Sequence, residues 1–188
     1  MADSNDWANG APADNGGAGQ PLGDGIPNGD EATLANLINQ YRMQNGLAAI
    51  PISKSLTQVA QAHVRDLSEN HPDQGTDGRG YSCNLHSWSA QGNWSPVCYT
   101  DDHQYAQGMW SKPGEITNNA YSGNGYEIAF VSSEQVQPEA ALASWQSSSA
   151  HNAVILEGDI WAGKNWPAFG VGIYGNYAVA WFGDNPEN

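Results

Sequence analysis

Helical periodicity at the front of this chain and strand periodicity at its end, with a long irregular stretch between, restrict it to few architectures. From Asp30, Leu34, Leu37, Ile38 and Tyr41 recur at helical spacing, and Gly46 supplies a stop. Asp30 is placed to cap this helix and Glu31 favours its positive end. A second helix follows Ser53, with Leu56, Val59, Ala60, His63, Val64 and Leu67 on one face, and ends at Asn70-His71-Pro72. Residues 168–175 and 177–182 alternate and are rich in Val, Ile, Tyr and Trp, so they read as two strands joined tightly at Gly175-Asn176. No βαβ alternation or internal repeat occurs. The fold class expected is therefore α+β.

The middle is harder to read. Residues 83–124 are polar, aromatic and weakly periodic, with one short helix expected near 102–110. Loops of this length inside a domain usually carry function. A helix is expected at 138–147, with Pro138 in its first turn, and another at 150–156. Residues 1–29 are dominated by Gly, Asn, Asp, Pro and Ala and read as a flexible leader or linker, which leaves 30–188 as the domain.

Charge narrows the partners. Twenty Asp and Glu against six Lys and Arg give a net charge of −14, which repels nucleic acid and anionic membrane surfaces. No apolar run is long enough to span a bilayer. Cys83 and Cys98 are the only cysteines and do not form a C-x-x-C pair. A disulfide between them is expected, closing a loop of about 15 residues and contributing roughly 3 kcal/mol. The alternative is two unpaired thiols in a reducing compartment.

H-E-x-x-H, G-x-S-x-G, P-loop and dinucleotide-binding signatures are all absent. Five histidines remain as candidates: His63, His71, His86, His103 and His151. On helical spacing His63 reads as a satisfied core or boundary residue, His71 as an exposed helix stop, and His103 as part of a solvated loop.

Six segments, taken in order, resemble the CAP family (cysteine-rich secretory protein, antigen 5, pathogenesis-related 1), bacterial type. They are Leu37-Ile38-Asn39-Gln40-Tyr41-Arg42 with Asn45-Gly46-Leu47, the stretch LTQVAQAHV at 56–64, Cys83-Asn84-Leu85-His86-Ser87-Trp88, Gly125-Tyr126-Glu127-Ile128-Ala129, Trp145 to Asn152 with Ile155-Leu156, and Phe169-Gly170-Val171-Gly172 with Ala180-Trp181-Phe182. The resemblance implies an α-β-α sandwich with a small antiparallel sheet between helical layers. It also implies an open cleft where His86 and His151 hold a divalent metal, zinc foremost, beside Glu127 as a catalytic base. The second acid of eukaryotic members is replaced here by Gln146, Ser147 and Ser148.

Trp88, Trp145 and Ser148 are the expected ligand contacts, and a small polar, glycan or peptide ligand the expected partner. The first functional expectation is thus a secreted or cell-surface ligand-binding module whose signal sequence has been removed. A metal-assisted peptide or ester hydrolase, with Glu127 as base and a hydroxyl from 147–149 as oxyanion donor, is the second. The third is a protein-interaction module with a vestigial cleft.

Overall fold

The computed structural model describes residues 22–187; most of the expected leader lies outside the described residues. Helix α1 (Gly29–Gln44) begins earlier than expected, because Asn28 rather than Asp30 is the cap. The Asn28 side chain accepts from the Asp30 and Glu31 amides while Glu31 reaches back to the Asn28 amide, a reciprocal capping box. The segment just before it is tied to the domain. Gln61 accepts from the Gly25 amide and donates to the Ile26 carbonyl.

Helix α2 (Lys54–Asn70) is capped by Ser53, whose side chain accepts from the Leu56 amide, and it ends at His71 in the left-handed conformation before Pro72. Two short helices follow, α3 (Ala106–Trp110) and α4 (Lys112–Ile116). The second escapes sequence reading because Pro113 and Gly114 are helix breakers; Pro113 sits in the first turn, where no amide is needed. Then come β1 (Gly125–Val131), α5 (Pro138–Ser147), α6 (Ser149–Leu156), β2 (Ala168–Tyr174) and β3 (Tyr177–Gly183).

The strands form one antiparallel sheet in the order β1-β3-β2. Strand β3 lies in the centre and is buried on both faces. Its alternate residues divide the interior into two layers. Tyr177, Val179 and Trp181 join the core beneath α2, together with Leu56, Val59, Trp88 and Ala129. Ala178, Ala180 and Phe182 join the core beneath α1, α5 and α6, with Leu34, Ile38, Trp145 and Ile155. This is the expected α-β-α sandwich.

The α2 layer lies unusually close to the sheet. A Cβ on Gly170 of β2 would come within 2.2 Å of the Thr57 amide nitrogen, and one on Gly172 within 2.5 Å of the Ala60 carbonyl. Small residues here let the helix backbone rest on the strand. Helix α2 is thereby held where its His63 meets the inward-facing residue of β1.

The irregular region is stapled rather than loose. Cys83 and Cys98 form the expected disulfide, with Cα atoms 4.9 Å apart. Beside it the Asn84 amide donates to the Tyr99 carbonyl at 2.8 Å, and Trp88 and Val97 exchange backbone hydrogen bonds. The arms of this loop are thus fixed before residue 86 reaches the site.

Candidate functional site

Register builds the first part of the site. Glu127 pairs with Trp181 across β1 and β3, so both point toward the α2 layer. On α2, His63 lies one turn beyond Ala60, on the face that packs against the sheet, and it is fully buried. Its Nδ1 meets Glu127 Oε2 in a short hydrogen bond, and its Nε2 lies 2.9 Å from the Ser87 carbonyl oxygen. The Trp88 ring stacks on the His63 ring at 4.1 Å and 8°.

The stapled loop supplies the second imidazole. An Asx turn, in which Asn84 Oδ1 accepts from the His86 amide, aims His86 so that its Nδ1 lies 2.7 Å from Glu127 Oε1. Tyr99 packs edge-on against His86 at 5.3 Å and hydrogen-bonds His103. The His86 side chain is 20% exposed, whereas that of Glu127 is wholly buried. His151 stands in the first turn of α6, where Ser148 caps the helix by accepting from the His151 amide, and it is half-buried.

Electrostatics follow from burial and pairing. Burial alone would raise the Glu127 carboxyl, but the charge and hydrogen bonds of His63, then of His86, hold it below its ordinary value. For His63 burial lowers the imidazole, and the Glu127 charge and hydrogen bond, the Ser87 carbonyl and the Asp66 charge more than offset this, so it is raised. His151 is lowered, first by burial and then by the His86 charge.

Several expectations need correction. Glu127 is not placed to act as a base on a water or substrate, because both its oxygens are taken by imidazoles and no part of the side chain is exposed. Trp88 and Trp145 are not ligand platforms: both are fully buried. Trp88 covers His63, and Trp145 Nε1 donates to the Ala129 carbonyl at 3.1 Å, tying α5 to β1. Ser148 is a helix cap, although it remains half-buried and close to His151.

The donor set does not suit a resident zinc ion. A stable site needs at least three protein ligands. Among the described residues no three His, Cys, Asp or Glu side chains gather in that way. Glu127, the natural third ligand, is committed to His63 and His86. Beside the disulfide a cavity of about 240 Å³ is lined by Asp77, Gly78, Val97, Gln104, Tyr105 and Gln107, and this cavity contains none of the three expected site residues.

His63 is the functional residue that sequence reasoning undervalues. Its position on the apolar face of α2 is legible, but nothing local links it to a carboxylate 64 residues away.

Comparison with known proteins supports the architecture. The fold is similar to a cysteine-rich secretory protein of Staphylococcus aureus at 13% identity and TM-score 0.52, covering 83% of this chain and 38% of that one. It is also similar to an extracellular protein of Bacillus anthracis containing an SCP domain, at 18% identity and TM-score 0.55, covering 87% and 44%. An outer surface protein of Borrelia burgdorferi matches at 16% identity and TM-score 0.51, covering 87% and 96%. The chain thus spans less than half the length of the first two. Among curated proteins no sequence match was found. Residues 35–161 match the profile of the cysteine-rich secretory protein family, and the chain belongs to this CAP family.

Proposed function

We propose that this CAP domain is a secreted ligand-binding module in which His86 and His151 form the contact surface and Glu127 works from behind His86. One observation carries the reading: a fully buried carboxylate holds the ring of a partly exposed histidine at 2.7 Å. Burying Glu127 is costly, and a core needs no such group, so the geometry is suited to orienting an imidazole for use. An oriented, neutral imidazole offers one acceptor nitrogen to a hydroxyl or amide N–H of a small polar ligand, a glycan or a peptide. Secretion is supported by the disulfide, which persists in oxidising compartments, and by extracellular or surface names among the similar structures. Among the described residues no helix is long and apolar enough to cross a membrane.

Titration of the ¹⁵N-labelled chain with N-acetylglucosamine oligomers and with short neutral peptides tests the proposal. Shift changes centred on His86 and His151, abolished in His86→Ala, are the expected result. Binding that survives this substitution, or no binding by any probe, refutes it. Zinc chloride belongs in the same series as a separate arm. With Glu127 committed, zinc is expected to bind no tighter than to a pair of surface histidines.

A further inference from the structure

The environment of His63 leaves it few protonation states. Its Nε2 faces a backbone carbonyl oxygen, that of Ser87, at 2.9 Å. A carbonyl only accepts, so Nε2 carries a hydrogen. Its Nδ1 faces Glu127 Oε2, and an ionised carboxylate also only accepts. An imidazole caught between two acceptors satisfies both only with two protons, as imidazolium.

The surroundings suit that cation. The Trp88 indole lies parallel to the ring at 4.1 Å, the geometry in which an aromatic face stabilises positive charge. Trp181 meets it edge-on at 6.3 Å. Of the other charged groups packed around this layer, Asp66 adds a negative charge that favours the cation, and Lys112 is neutralised by Glu115. Asp66 accepts from the Ser89 amide and hydroxyl and from Asn70. Lys112, above the far aromatic neighbourhood at 5.7 Å from the Trp88 centroid, is paired with Glu115 and with the Ser95 carbonyl.

We infer that His63 is a positioning residue: as a buried imidazolium it keeps Glu127 ionised, and Glu127 in turn holds His86 as the tautomer with hydrogen on Nδ1 and a free lone pair on Nε2. The second half follows from the same acceptor logic. Glu127 Oε1 accepts at 2.7 Å from His86 Nδ1, so that nitrogen is the donor. In a neutral ring Nε2 is then the acceptor, and it has no partner among the described residues. The carboxylate that the family resemblance suggests for a metal or a base is thus spent as an internal counter-ion, and what His86 offers outward is a single imidazole lone pair. Were Glu127 to take up a proton, it would donate to one of the two rings and the preference at His86 would be lost.

This inference deepens the ligand-binding reading, but its test is separate, because proton placement is measured without any ligand. Nitrogen spectra of the full chain labelled with ¹⁵N-histidine report each ring nitrogen. Between about pH 5 and 8, where free histidine changes charge, His63 is expected to keep hydrogen on both nitrogens. In neutral His86 hydrogen is expected on Nδ1 alone. A singly protonated His63 at neutral pH, or His86 with its hydrogen on Nε2, overturns the inference even if ligands bind. In folded His63→Gln the ratio of Nδ1–H to Nε2–H forms of His86 is expected to fall by about tenfold, the change that one unit of relative basicity produces. An unchanged ratio overturns the positioning role, and if the variant fails to fold the wild-type spectra still decide.

Discussion

At the scale of the residue, the buried pair of His63 and Glu127 makes stability depend on pH in a definable way. Glu127 is held below its ordinary 4.5, so its contribution is present above that value and is lost as pH falls through the lower folded value. His63 is held above its ordinary 6.5, so its contribution is complete below 6.5 and is lost as pH rises through the higher folded value. Both contributions coexist between pH 4.5 and 6.5. Urea midpoints measured from pH 3 to 9 are expected to peak in that window, and the peak is expected to flatten in Glu127→Gln. His86→Ala removes a partly exposed ring but leaves one oxygen of the wholly buried Glu127 without its donor, and is expected to cost about 2–3 kcal/mol. The counter-ion Trp88–His63–Glu127 stack was only half legible. Helical spacing places His63 facing inward, but a buried histidine looks the same on paper whether it fills space or neutralises a distant acid.

Elements position these residues, and the close approach of α2 to β2 is made possible by absent side chains. Helix α2 rests on β2 through Gly170 and Gly172, which sets how far His63 stands from β1. Gly170→Ala places a methyl 2.2 Å from a backbone nitrogen that cannot swing aside. The expected cost is about 3 kcal/mol, the upper end of ordinary overpacking, read as a lower denaturant midpoint. Loss of the His63–Glu127 proton signature in the folded variant would show that helix placement had shifted. Helices α1, α2, α5 and α6 and strands β2 and β3 were legible because each keeps one period over its length. Strand β1 was not, since Glu127 occupies an inward position where alternation calls for an apolar residue. The functional residue thus concealed the element that carries it.

For the whole molecule, the decisive long-range constraint is the bond from Cys83 to Cys98, which holds the loop delivering His86. Replacing both cysteines by alanine is expected to cost about 3 kcal/mol, the loop-entropy value for a loop of this size. In a domain of this length that corresponds to roughly 6–12 °C in melting temperature, measurable by calorimetry. The sheet and the His63–Glu127 contact are expected to persist, because neither lies within the loop, while the His86 resonances broaden. A melting temperature unchanged by the double substitution would mean that backbone contacts such as those between Trp88 and Val97 already fix the loop.

Local order along the chain was sufficient to determine the class of fold, the succession of helices and terminal strands, and the family, because periodicity and short motifs are properties of neighbouring residues. Which histidine serves Glu127 from behind, which tryptophans are interior, and why the carboxylate is closed to solvent were decided only by tertiary structure. Those outcomes depend on register between β1 and β3 and on the approach of α2 to β2, and both are set by packing between segments that the chain separates widely.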